Sequence, residues 1–167
     1  MIHLKHDLAA AQERVEAWWR HEHTGRPILQ ITAPRDGAEP YSGPRTDDLD
    51  SWWTDPAYVL PRLEHELHST CYAGEAMPVI FPVSTGLVSI TNKYLGAPNV
   101  YIDRNTSWSA PIIDDWNDAP PLEFDPQNEW WQRSERLLRE GVALVRERGY
   151  EAFVGVPDLN GPTEVLS

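Results

Sequence analysis

Met77-Pro78-Val79-Ile80-Phe81-Pro82-Val83 is an unbroken apolar run. A strand with one face in water alternates apolar and polar residues. A run without alternation must be covered on both faces, as in a parallel sheet flanked by helices. Ala152-Phe153-Val154-Gly155-Val156 repeats the pattern. Between the two lies the clearest helix of the chain, about 126 to 148, opened by the Asp125-Pro126 cap signature and stopped by Gly149. Trp130, Trp131, Leu137, Leu138, Val142 and Val145 form its apolar stripe, and Glu135 and Arg139 pair on the outer face. Gly141 lies inside this helix at a cost of about 1 kcal/mol against Ala, so it is expected to mark a close helix–sheet contact.

The remaining segments extend the alternation. A helix is predicted from about Asp7 to His23, with Leu8, Ala11, Val15, Trp18 and Trp19 on its buried face. Ile28 to Ala33 reads as a strand, and 34–50, rich in Pro and Gly, as a loop. Asp55-Pro56 opens a second helix whose apolar face is Tyr58, Val59, Leu63 and Leu67, and Pro61 should kink or split it. Leu87 to Leu95 reads as a short helix, and Val100 to Ile102 and Ser109 to Ile113 as short strands.

Helix–strand alternation implies an α/β fold, with parallel strands and helices outside. A (β/α)8 TIM barrel takes roughly 250 residues, and this chain has 167. The last segment, Gly161-Pro162 onward, starts a helix and stops after one turn. Residues 1–167 are therefore expected to be a single domain, the incomplete N-terminal portion of such a barrel. An open barrel exposes strand edges and apolar surface, so a homo-oligomer is expected.

Composition removes several functions. Fourteen basic against 26 acidic residues give a net charge of −12, which repels phosphate backbones and argues against nucleic acid as a partner. No apolar stretch approaches the roughly 20 residues of a membrane helix. One cysteine, Cys71, excludes an internal disulfide framework and fits a cytoplasmic location. The unusual count is eight tryptophans, six of them in the adjacent pairs 18–19, 52–53 and 130–131. Neighbouring helical positions diverge by about 100°, so each pair widens a buried stripe, and packing is the expected role.

No nucleotide-loop, zincin or serine-hydrolase motif occurs. His65, His68 and Cys71 fall at i, i+3 and i+6 and would converge on one cation if a helix carried all three; a partly exposed helix edge is the simpler reading. In barrels the chemistry sits at the C-terminal ends of strands. That rule selects Asp158 as a candidate catalytic carboxylate able to accept a proton or orient a substrate, the alternative being a helix cap. It also selects Phe81, Thr85 and Asn160 as pocket-lining residues, and Arg35 as a clamp for a substrate carboxylate. Trp108, among Thr106, Ser107 and Ser109, is a candidate pocket wall. Glu75 precedes its strand, at the wrong end for catalysis, and is expected to be structural.

At these residues the sequence resembles the uroporphyrinogen decarboxylase-like family. The matching segments are Ala17-Trp18-Trp19, Arg26-Pro27 before Thr32-Ala33-Pro34, Trp52-Trp53-Thr54-Asp55-Pro56, Gly74-Glu75-Ala76-Met77-Pro78 with Phe81-Pro82, Phe124-Asp125-Pro126 with Trp130-Trp131, and Gly155-Val156-Pro157-Asp158. They cover nearly the whole chain in order. The resemblance implies a TIM barrel about twice this length and one of three activities: porphyrinogen decarboxylase (a lyase), corrinoid-dependent methyltransferase or cobalamin-independent methionine synthase. The decarboxylases carry several arginines after their first strand, where this chain has Arg35 alone. Their essential Asp falls near Val83, and their Tyr near Thr163. The resemblance therefore favours a corrinoid-linked methyltransferase in the full-length form, acting on a small-molecule substrate with a corrinoid protein as partner. Decarboxylation of a tetrapyrrole or smaller carboxylate, and a non-catalytic small-molecule binding domain, are the alternatives. Zinc ligands in the methyltransferases come mainly from the C-terminal half, so zinc is implied for the full-length enzyme and no cofactor for this segment.

Overall fold

The computed structural model describes residues 2–83, 90–119 and 121–159. Helix α1 (Leu8–Trp19) buries Leu8 and Ala11. It ends four residues before the expected His23, because His21 turns into the left-handed region at φ 58°. Trp18 and Trp19 sit at that frayed end, edge-on with ring centroids 4.8 Å apart. They are 50% and 71% exposed, so the buried stripe expected to include them stops short of both.

Strand β1 (Gln30–Pro34) pairs with β2 (Thr70–Gly74), from Gln30 opposite Gly74 to Pro34 opposite Thr70. The pairing is antiparallel, which corrects the all-parallel expectation. Between them, the loop expected over 34–50 gives way at Leu49 to helix α2 (Leu49–Thr54), whose first turn is capped by the Asp48 carboxylate. Helix α3 (Pro56–Ser69) starts as read, with Asp55 accepting a hydrogen bond from the Ala57 amide at 2.9 Å. Pro61 does not split it. The ring removes one helical hydrogen bond, but Val59, Leu63 and Leu67 lie four apart and are all buried, and that packing keeps the helix continuous.

Strand β3 (Val79–Ile80) and β6 (Phe153–Val154) form the parallel pair that the two apolar runs predict. Helix α5 (Glu129–Arg148) connects toward β6 and packs on the pair. Its cap is Asn128, whose side chain accepts from the Trp131 amide at 3.0 Å; Asp125 closes only the preceding turn. At Gly141, a Cβ would fall 2.5 Å from Pro82 Cγ and 3.6 Å from Ile80 Cδ1, so the glycine is where helix meets strand. Gly149 ends α5 at φ 67°, and the chain then runs beside the N-terminus, Ile2 bridging Tyr150 in parallel.

The rest is short: α4 (Ile90–Tyr94), the antiparallel hairpin β4 (Asn99–Tyr101) with β5 (Ser107–Ser109), and a 3-10 turn at Trp116–Asp118. The core gathers Trp52, Trp53, Val59, Leu63, Leu67, Ile80, Ile90, Tyr94, Leu137 and Val145. The architecture is therefore mixed helix and strand with three separate two-stranded sheets, and the described residues form no barrel wall. No helix among them is long and apolar enough to cross a membrane.

Two polar staples bind the N-terminal segment to the β1–β2 pair. The buried Lys5 ammonium donates to the carbonyls of Gly74 (2.9 Å) and Tyr72 (3.3 Å) and pairs with Asp7 at 2.7 Å. The Glu75 carboxylate, with no exposed surface, accepts from Arg14 Nε (2.6 Å), from both Nη atoms of Arg26 and from the Leu29 amide (2.9 Å). The Arg26 guanidinium foremost, then the Leu29 amide and Arg14, hold its carboxyl down to about 2 against burial. The structural role read for Glu75 is the one it has.

Candidate functional site

Parallel strands end on the same side, so β3 and β6 bring their C-terminal residues together. The ladder runs from Phe153 N to Pro78 O (2.9 Å) and from Gly155 N to Ile80 O (2.8 Å). Ile80 points into the core toward α5. Alternation then turns Phe81 and Phe153 to the opposite face, where they are 44% and 40% exposed. The Phe81 ring lies over the Gly155 backbone, its Cε1 2.2 Å from where a Cβ would stand. Glycine is needed there for the ring to approach. Beyond it come Val156 and Leu159, both well exposed, and Asp158. Asp158 forms no ion pair or hydrogen bond with another described residue, so its carboxylate is open to solvent and to a ligand. Phe81 directly follows β3 and packs on Gly155, while Asp158 comes four residues after the end of β6.

The other candidates lie elsewhere. Arg35 follows β1, and its Nη2 donates to the carbonyls of Thr70 (3.0 Å) and Leu4 (3.3 Å), while its amide donates to Ser69 O at 2.7 Å. It stitches the β1–β2 end to the N-terminal segment. Trp108 is on β5 opposite Val100, with its ring largely exposed. Thr85 and Asn160 lie outside the described residues. His65, His68 and Cys71 do not share a helix: α3 stops at Ser69 and Cys71 is on β2. His65 meets Tyr41 edge-on, and His68 Nε2 lies 2.9 Å from the Tyr150 hydroxyl. That hydroxyl donates to Glu64 at 2.5 Å, and burial together with this carboxylate pushes it up to about 12. Among the described residues no three His, Cys, Asp or Glu side chains are grouped to hold a metal ion.

Sequence reading missed a buried polar centre between α4, the β4–β5 hairpin and α5. Lys93 has no exposed surface; its ammonium donates to Ser109 Oγ at 3.2 Å and lies 5.9 Å from the Trp130 ring centroid. Burial pushes it down to about 8. Ser107 is also buried on β5, and the Asn92 side-chain oxygen is buried without a hydrogen-bond partner. Such a centre could hold a polar group, but a lysine in a five-residue helix carries no sequence signal that separates it from a surface lysine.

No protein-family model matches the chain, and neither a curated protein nor a solved structure is similar to it.

Proposed function

We propose that this chain supplies the first part of a (β/α)8 barrel enzyme of the uroporphyrinogen decarboxylase-like kind, and that Phe81 and Asp158 belong to its substrate site. One observation carries this reading. The strands β3 and β6 are parallel, helix α5 meets them at β6 and at Gly141, and an aromatic and an acidic residue follow their C-terminal ends in the sequence. Parallel strands with helices on one face are what such a barrel repeats, and the C-terminal ends of its strands are where its chemistry occurs. The bare opposite face, with Phe81 and Phe153, is the side that further strands would enclose.

Within that family, methyl transfer fits these residues better than decarboxylation. Arg35 is tied through Nη2 to two backbone carbonyls, and a single arginine held there is a poor grip for the several carboxylates of a tetrapyrrole. Asp158 would orient a small methylated substrate or take its proton, and Phe81 would wall the pocket, with Thr85 and Asn160 as further proposed lining residues. A corrinoid protein would accept the methyl group in the cytoplasm, with zinc bound by residues outside this chain.

The test is methyl transfer by the polypeptide expressed from the whole reading frame, given a methylated amine and a corrinoid protein, followed by the corrinoid absorbance. Turnover reduced at least about 100-fold by Asp158→Asn supports the reading. Carbon dioxide release from a carboxylate substrate would replace it with decarboxylation. Ligand-induced stabilisation without turnover would replace it with a binding domain.

A further inference from the structure

Three arginines from three separate segments converge on Tyr41 and Trp52. Arg62, on α3, places its guanidinium carbon 3.8 Å from the Trp52 ring centroid, and Arg104, from the β4–β5 turn, places its own 4.8 Å from the same centroid. The two cations are no farther apart than those distances laid end to end. Arg45 lies 6.0 Å from the Tyr41 ring centroid, and both Arg45 and Arg62 act electrostatically on the Tyr41 phenol. Arg62 is partly buried, and its charge is opposed by desolvation first and by Arg104 as well.

Packing alone accounts poorly for this arrangement. The chain has 26 carboxylates against 14 basic residues, yet only Arg104 has one in contact, Asp47 at 2.9 Å. Arg45 and Arg62 form no ion pair with any described residue; Glu66 acts on Arg62 only from a distance. A guanidinium offers five N–H donors. Arg62 uses one on Trp52 O (3.2 Å), and Arg45 one on Tyr41 O (2.9 Å). Cation–π contact explains why Arg62 lies on the indole, but not why Arg45 and Arg62 leave most of their donors unspent; Arg104 donates through Nη2 to the Thr46 carbonyl and to Asp47.

We propose that Arg45, Arg62 and Arg104 form a binding site for a small dianion with forked oxygens, a phosphate monoester or a dicarboxylate. Guanidiniums bind such groups through paired hydrogen bonds, and a second negative charge relieves the mutual repulsion of the three cations. Tyr41 and Trp52, the rings these guanidiniums approach, supply the walls. The site includes neither Phe81 nor Asp158 and stands independently of the function proposed there.

The chain is titrated with inorganic phosphate and, separately, with succinate, against sodium chloride at matched ionic strength. Calorimetry and the melting temperature are the readouts. Saturable binding to either dianion, weakened about tenfold or more by Arg45→Gln, supports the site, and the preferred anion identifies its chemistry. Arg45 is exposed and meets only the carbonyl and ring of nearby Tyr41, so that variant should fold; unchanged circular dichroism checks it, and Arg104→Gln provides a second variant. No saturable binding beyond chloride, or binding that both variants leave unchanged, overturns the proposal.

Discussion

Arg26 grips Glu75 with both ends of its guanidinium, Nη1 at 3.0 Å from Oε2 and Nη2 at 2.5 Å from Oε1. The carboxylate is buried while Arg26 reaches solvent, so water screens one side of the pair. Removing the carboxylate leaves Arg14 and the Leu29 amide without their acceptor. Glu75→Ala should therefore lower stability by about 3 kcal/mol, toward the lower end for a buried pair that loses one partner. Chemical denaturation at pH 7 measures it.

The same carboxylate sets a pH dependence. Its folded value lies near 2, below the ordinary 4.5. A depressed acid contributes stability that is complete above 4.5 and is lost as pH falls toward 2. The stability difference between the wild type and Glu75→Gln should therefore shrink from pH 6 to pH 2.5. A difference that stays constant over that window would mean that the ion pair is not its source.

Lys93 predicts the opposite slope. Burial lowers its folded value from 10.5 to about 8, so the fold disfavours the cation. The resulting penalty is complete below pH 8 and fades as pH rises toward 10.5. Relative to Lys93→Met, the wild type should gain roughly 1–3 kcal/mol between pH 7 and pH 10. Paired denaturation curves at the two pH values check the sign.

These energetic centres divide the legible from the illegible. Helix α5, its contact at Gly141 and the β3–β6 pair follow from local pattern: apolar spacing, one glycine within it and two apolar runs. The antiparallel β1–β2 pair does not, because Thr70–Gly74 continues directly from α3 and finds its partner some 40 positions earlier in the chain. Helix α2 is six residues long, too short for a period to show. Periodicity also places Trp18 and Trp19 inside, whereas the turn at His21 carries them out. The positions of Phe81 and Asp158 after β3 and β6 follow from the two apolar runs. The bonds of Arg35 to Leu4 and Thr70 depend on the fold and could not be read from residues 33–37.

Gly141 gives a prediction in which two effects oppose. Alanine gains about 1 kcal/mol of helix propensity. Its methyl, however, would stand 2.5 Å from Pro82 Cγ, and a proline ring cannot swing aside as a flexible side chain can. Overpacking of this kind costs about 1–3 kcal/mol before the propensity gain is counted. Gly141→Ala should lower the urea midpoint and leave the m-value unchanged.

The bare face of the β3–β6 pair should make the chain self-associate. Phe81, Phe153, Val156 and Leu159 are exposed apolar residues on or shortly after these two strands, and neither strand has a further partner among the described residues. Exposed apolar area beside open strand edges favours association. Light scattering should show an apparent mass that rises with concentration. Phe153→Lys combined with Val156→Lys places two charges on that surface without touching Ile80 or the α5 packing, and should return the chain toward a monomer. A monodisperse wild-type monomer over the same range would mean that this surface is tolerated by the isolated chain, and would remove the face as a reason to expect further strands beside it.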